Sequence, residues 1–417
     1  MDSVIKIRQY QRRKGEALDA TNYEEIMIAI IGNVDAGKSS TVGTLITGVN
    51  DDGKGLSRSV VFIHPHEHKT GRTSDISHQY IKNEEAKRII SFIDLPGHET
   101  YLKTTIAGLT SINPDFAMVC ISDKITNITL EHMRICYVLQ IPIVILFTKC
   151  DAIPENVTKS LIEKVKLKLR PNGSKIYQFR NKEDFSMLEN SAPNKIIPYI
   201  ITSNKTGYGL NLVHYAMQTI KQRQKFLPEG FVTDHVYMVP GHGVVLAGVC
   251  KHDILVGDSF YMGPFDKGVF VNVIIKSIHN DYRYDVKTLP AGKRGCIAIG
   301  MRTKEKYKYK LHSGMVLSKD KPQNVCSEFI AEVNIVHHST TIAIGYNAFI
   351  NCGMLHVPVK FTNITGPNGE QLDVVRSGAK VLVTMHFHKG LHYVPIGQQI
   401  IFREGTIRGF GYVKQIL

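Results

Sequence analysis

The segment Gly32-Asn33-Val34-Asp35-Ala36-Gly37-Lys38-Ser39-Ser40 constrains the fold of this chain more than any other. It fits the pattern G-x-x-x-x-G-K-[ST]. The apolar run MIAII precedes it and the helix-like stretch STVGTLITG follows. A buried strand that ends in such a turn and opens a helix aims successive backbone N–H groups, and the positive end of the helix, at one point. That point is a cradle for phosphate groups. Lys38 places a positive charge at the β- and γ-phosphates, and Ser39 offers a hydroxyl to Mg²⁺. Further continuous apolar runs lie at 89–97, 116–122, 141–148 and 196–203, with helical patterns at 130–139 and 158–170. Runs that do not alternate are those of parallel strands covered on both faces. The first half is thus expected to be a doubly wound α/β domain with a mostly parallel sheet.

Near Pro228 the texture changes to short alternating stretches punctuated by glycine, such as VNVIIKSIH, GCIAIGM, SEFIAEVNIV and AKVLVTMHF. Their spacing reads as all-β, sandwich or barrel. The expected divisions are a short basic extension at 1–24, a nucleotide-binding domain at 25–227, and β domains at 228–322 and 323–417. The chain has 417 residues and a formal charge of +14, with the basic excess spread through both halves, which suits a polyanionic partner. No apolar run is long enough to span a membrane, and the basic start shows no apolar signal segment. The seven cysteines are scattered and form no C-x-x-C pair, so buried free thiols in a reducing, cytoplasmic setting are expected.

Three further elements follow in order behind the phosphate loop. Asp94-Leu95-Pro96-Gly97-His98 ends an apolar run. Asp94 is placed to hold Mg²⁺, directly or through water, and the Gly97 N–H to reach the γ-phosphate. His98 stands where an attacking water would lie. Thr148-Lys149-Cys150-Asp151 ends another run. A carboxylate there can accept both N1–H and N2–H₂ of guanine, a donor pair that adenine lacks, so Asp151 argues for GTP over ATP. The Lys149 stem can cover the face of the base. Ser203-Asn204-Lys205 is a weaker element whose backbone N–H groups could meet the guanine O6. Thr73, in the loop between the first two elements, could give Mg²⁺ a hydroxyl and the γ-phosphate an N–H, making that loop sensitive to the nucleotide.

The set GNVDAGKS, GRTS, DLPGH, TKCD and SNK resembles the translational GTPases of the EF-Tu and elongation factor 1-alpha superfamily. GNVDAGKSS, GVNDDGKGLSR and HEHKTGRTS are most similar to its eukaryotic GTP-binding protein 1 class. VPGHGVVLAGV and HSGMVLS are similar to the superfamily's second domain, and FREGTIRGFGYV to its third. The resemblance spans about residues 25–417. It implies a GTP-binding domain followed by two β-barrels, with GTP or GDP and Mg²⁺ as ligands. His98, Lys38 and Thr73 would be the catalytic residues, and Ser39, Thr73 and Asp94 the metal-binding ones. Turnover would be slow alone and stimulated by a partner. Partners would be an aminoacyl-tRNA-like RNA and the ribosome. An adaptor role in ribosome rescue or RNA decay, timed by GTP, is the alternative, as is a nucleotide-locked module with little hydrolysis. Two positions depart from the wider family. Thr148 stands where most GTPases carry asparagine. Arg72 precedes Thr73, where EF-Tu-like factors carry an apolar residue.

Two other patterns stand apart. In Arg302–Lys310 the lysines Lys304, Lys306, Lys308 and Lys310 alternate with other residues, and Tyr307 and Tyr309 fall between them. An extended conformation gives a basic ridge suited to RNA phosphates, or a solvated β-edge. His64, His66 and His68 also alternate, without an evident fourth ligand.

Overall fold

The computed structural model describes residues 18–59, 61, 77–170, 173–188, 191–301, 310–336, 341–404 and 406–417. These form two compact units. One is Thr21–Gln224 and the other is Lys225–Leu417 together with residues 18–20.

The first unit is built on β1 (Glu24–Gly32), α1 (Lys38–Thr47), β2 (Ser77–Asn83), β3 (Arg88–Asp94), α2 (Leu102–Ile112), β4 (Phe116–Ile121), α3 (Asn127–Val138), β5 (Ile143–Phe147), α4 (Glu155–Leu169), β6 (Lys175–Gln178), β7 (Ile196–Ile201) and α5 (Leu210–Thr219). The strand order is β2-β3-β1-β4-β5-β7-β6. All pairings are parallel except β2 with β3. The apolar runs explain the centre of this sheet. Ile26, Ile28 and Ile30 of β1 enter one core with Phe92, Phe116, Met118, Val144 and Leu146. Their neighbours Met27, Ala29 and Ile31 are also buried, so both faces are covered. Burying each such side chain contributes about 1.5–3 kcal/mol. α4 shows the complementary pattern, with Thr158, Leu161, Ile162, Val165 and Leu169 buried at helical spacing and lysines between them. Arg223 fixes the chain beyond α5. Its guanidinium donates to the carbonyls of Leu139 at 2.9 Å and Gln140 at 3.2 Å, and its N–H donates to Asp115 at 3.0 Å.

The second unit holds two closed antiparallel barrels of six strands. One consists of β8 (Phe231–Val239), β9 (Gly243–Cys250), β10 (Ser259–Gly263), β11 (Val271–Asn280), β12 (Arg294–Met301) and β13 (Val316–Ser318). Its order β10-β13-β8-β9-β12-β11 closes through the pairing of β10 with β11. The other consists of β14 (Glu328–Ile335), β15 (Asn347–Cys352), β16 (Leu355–Thr365), β17 (Lys380–Phe387), β18 (Gln399–Glu404) and β19 (Thr406–Ile416). It closes through β14 and β19. β9 and β14 alternate strictly between buried and half-exposed residues, as barrel walls require. Val232 and Val316 of the first barrel pack with Met354 and Tyr393 of the second. Leu18 and Ala20, inside the stretch read as an extension, are buried. Asn280 donates to the Leu18 carbonyl at 2.8 Å.

All seven cysteines are free thiols. Among the described residues no helix is long and apolar enough to cross a membrane.

Candidate functional site

The phosphate loop joins β1 to α1 at the carboxyl end of the sheet. Its shape depends on glycine at two places. Gly32 has φ +140°, and a Cβ there would run into the carbonyl oxygen of Cys120 on β4. A Cβ on Gly97 would run into the Lys38 ammonium and lie 2.6 Å from the Gly32 carbonyl oxygen. The 94–98 loop therefore rests directly on the phosphate loop. Asp35 takes a left-handed φ of 59°, and Gly37, at φ 83°, is the residue before α1. α1 thus opens at Lys38, with its first N–H groups turned toward the loop.

Lys38 is buried, and its Nζ donates to the Asn33 carbonyl at 2.7 Å. Burial pulls its pKa below the ordinary lysine value, while Asp94, Cys120 and Asp35 pull it back up. The ammonium is thus held within the loop, beside carboxylates. The Ser39 hydroxyl donates to Asp94 Oδ2 at 2.6 Å, and Asp94 is fully buried. A hydroxyl and a carboxylate are oxygen ligands of the type Mg²⁺ takes, usually beside retained waters and phosphate oxygens. The residues present fit such an ion.

His98 is exposed and caps the short 3₁₀ turn Glu99–Tyr101. The Thr100 N–H donates to its Nδ1 at 3.3 Å, and the Thr100 hydroxyl lies 2.9 Å from the same atom. With Nδ1 engaged in this way, Nε2 is the ring nitrogen that can meet a water. The Thr105 hydroxyl donates to the Pro96 carbonyl at 3.1 Å, tying this loop to α2.

At the end of β5, the Thr148 hydroxyl donates to the Ala36 carbonyl at 2.8 Å and lies 3.3 Å from that of Ile121. Lys149 adopts φ 61° and is exposed. The Ser203 hydroxyl donates to Asp151 Oδ1 at 2.5 Å and accepts from the Thr206 N–H at 3.1 Å. The carboxylate is thereby held from the 203–206 turn, beyond β7. Asn204 is buried, and its Nδ2 donates to Thr41 Oγ1 on α1 at 3.0 Å, while its carbonyl accepts from the Asp51 N–H at 2.8 Å. Lys205 is exposed. Val34 and Ser40 are half-exposed in the loop and first turn.

The structure thus brings together residues 32–40, 94–98, 148–151 and 203–205 at one end of the sheet. Arg72, Thr73, His64, His66, His68, Lys304, Lys306 and Lys308 lie outside the described residues. Lys310 is exposed. Among the described residues no group of three or more His, Cys, Asp and Glu side chains could hold a metal ion.

Sequence reasoning passed over two residues here. Thr41 braces Asn204 from α1. His132 on α3 is fully buried, and neither ring nitrogen has a hydrogen-bond partner among the described residues. Burial first, and then the Lys38 charge, push its pKa down to about 3. The ring is neutral at physiological pH. Its only sequence signal is a histidine at helical spacing among Met133, Ile135 and Cys136.

Residues 24–227 match the family described as the Elongation factor Tu GTP binding domain. GTP-binding protein 1 of Xenopus laevis is 30% identical across 99% of this chain and 68% of its own length. Two solved structures share the fold. The elongation factor SelB of Methanococcus maripaludis, in complex with the GTP analogue GppNHp, superimposes with a TM-score of 0.68 at 20% identity, over 95% of this chain and 80% of that one. The GTPase-like domain of S. cerevisiae Ski7, bound to GTP, does so with a TM-score of 0.73 at 14% identity, over 95% and 99%.

Proposed function

Since the chain belongs to the translational GTPases of the elongation factor Tu type, in the GTP-binding protein 1 class, we propose that it binds GTP at the end of the β1–β7 sheet and hydrolyses the γ-phosphate, with His98 positioning the attacking water. The observation that carries this reading is the hydroxyl–carboxylate pair Ser39–Asp94 beside the buried Lys38, under a loop that ends in His98.

The chain's own residues divide the work. The backbone of 32–39 and the N-terminus of α1 hold the phosphates. Lys38, already fixed by the Asn33 carbonyl, neutralises negative charge that develops on the β- and γ-oxygens. Asp151, held by Ser203, accepts the guanine N1–H and N2–H₂. His98 orients the water through Nε2 while Thr100 engages Nδ1. Ser39, Thr73 and Asp94 would hold Mg²⁺, Asp94 through water; when bound, the ion screens the phosphate charge. Catalysis of this kind is positioning and electrostatics, so turnover is slow until a partner completes the arrangement.

The partner is proposed to be RNA-borne: an aminoacyl-tRNA-like ligand and the ribosome, engaged through the two barrels in the cytoplasm. The net charge of +14 supports a polyanionic surface. Phosphate release from GTP, titrated separately with purified ribosomes and with aminoacyl-tRNA, tests this reading. Stimulation by ribosomes supports it. Absence of any stimulation by either would instead favour a GTP-timed adaptor that answers to a protein.

A further inference from the structure

The turn that carries Ser203 is held from two sides. On the β5 side Asp151 accepts the Ser203 hydroxyl proton. On the other side it is held by α1 and by the loop that follows α1. Asn204 is the residue held there. Its Nδ2 donates to Thr41 Oγ1 on α1 at 3.0 Å, and its backbone carbonyl accepts from the Asp51 N–H at 2.8 Å. The loop also lies close to the turn beside this bond. A Cβ on Gly207 would stand 3.1 Å from Asn50 Oδ1, and one on Gly53 would stand 3.6 Å from the Lys205 stem.

The loop in turn is fixed to α1, and Asp51 makes the link. Its Oδ1 accepts from the Ser57 N–H at 3.0 Å. Ser57 is buried in the short helix Leu56–Ser59, which rests directly on α1: a Cβ on Gly43 would run into the Ser57 carbonyl oxygen. Asp52 tightens the same bend, accepting from the N–H groups of Lys54 at 2.7 Å and Leu56 at 3.1 Å. Asp51 thus bonds in two directions. Its carboxylate meets a segment packed on α1, and its N–H meets the carbonyl of the residue next to Ser203. An acceptor already held in place binds its donors more tightly than a mobile one, because ordering a side chain on binding costs affinity.

We propose that Asp51 is a positioning residue for base recognition: it sets the 203–207 turn from the α1 side, and with it the Ser203–Asp151 pair that discriminates between purine bases. The proposal rests on the reading of Asp151 as the guanine acceptor.

The test is competition against a fluorescent GDP with GTP, ITP and ATP, on the full chain and on Asp51→Ala. ITP lacks the N2 donors of guanine. The wild-type protein should prefer GTP over ITP by about five-fold or more, the scale of one or more lost hydrogen bonds. In Asp51→Ala that preference should fall to about two-fold or less, with ATP binding unchanged within about two-fold. Asp51→Asn keeps an oxygen acceptor for the Ser57 N–H and should retain the wild-type preference. A folded Asp51→Ala protein that keeps the preference, or that loses affinity for all three nucleotides by one common factor, overturns the inference and leaves the guanine site standing. Loss of the preference in Asp51→Asn as well would overturn the hydrogen-bond account. A wild-type protein that binds GTP no better than ITP or ATP removes the reading of Asp151 itself. Where Asp51→Ala does not fold, hydrogen exchange on the wild-type chain decides. At saturating nucleotide the amides of 51–57 should exchange more slowly with GDP than with IDP, and equal exchange would overturn the proposal.

Discussion

The Ser203 hydroxyl donates to Oδ1 of Asp151 at 2.5 Å, so the carboxylate at the end of β5 is oriented from the turn beyond β7, fifty-two residues further along the chain. The serine also accepts from the Thr206 N–H, which fixes its own rotamer. A carboxylate aimed in this way presents acceptors to a base edge with two neighbouring donors.

Asp151→Asn should therefore reverse base preference. The amide replaces one acceptor with a donor and leaves a guanine N–H unpaired, at a cost of about 1–3 kcal/mol. Xanthine nucleotides, which carry an acceptor at C2, should gain. Competition binding with GTP, XTP and ATP measures this, and an unchanged preference for GTP would remove Asp151 from the base site.

His98→Ala should lower stimulated hydrolysis by about 10²-fold or more, the scale of a positioned acid–base or orienting group. GTP affinity should change by no more than a few-fold, because the ring engages Thr100 and no residue of the phosphate loop. A parallel loss of affinity and turnover would mean that His98 supports the loop and does not position water.

The buried His132 makes stability depend on pH. Its pKa of about 3 in the folded chain lies below the ordinary value of 6.5, so the unfolded chain binds more protons between these limits. The stability held above pH 6.5 is lost as pH falls toward 3, by about 2 kcal/mol at pH 5. His132→Leu should remove that share of the acid sensitivity. Chemical denaturation of both proteins at pH 7.5 and pH 5 gives the difference, and identical pH dependence would contradict it.

In the first barrel, Asp234 is buried against the Arg294 guanidinium, with His235 Nδ1 at 3.2 Å. Burial alone would raise the pKa of this carboxyl, but Arg294 and His235 hold it below the usual carboxylate range. Asp234→Asn removes the hydrogen-bonded one of the two carboxylates that act on the largely buried Arg294 guanidinium, Asp281 being the other, and should cost up to about 3–5 kcal/mol. Thermal unfolding that shifts by less than a degree would show the pair to be effectively solvated.

That the motifs of the candidate site gather at one end of the sheet could be read from residue order, because each motif follows an apolar run and the centre of a parallel sheet is apolar on both faces. Edges were harder. β2, SHQYIKN, is an edge strand with mostly half-exposed residues, so no apolar run announces it. Barrel closure was also hidden, since the pairing of β14 with β19 joins residues some eighty positions apart and no local pattern encodes it. Thr148 is a third case. Its departure from asparagine is visible in the sequence, but that its hydroxyl braces the Ala36 carbonyl is not. His132 is invisible for a similar reason, because helical spacing says that a residue faces inward but not that it sits within the field of Lys38.

The central claim is that this chain hydrolyses GTP with water positioned by His98 and with a ribosomal partner completing the site. The most direct measurement is the initial rate of phosphate release from GTP and from ATP, with Mg²⁺, with and without purified ribosomes, for the wild-type protein and His98→Ala. The account predicts slow release from GTP alone, marked stimulation by ribosomes, none from ATP, and loss of the stimulated rate in the variant. Equal turnover of ATP, or a stimulated rate that survives His98→Ala, would contradict it.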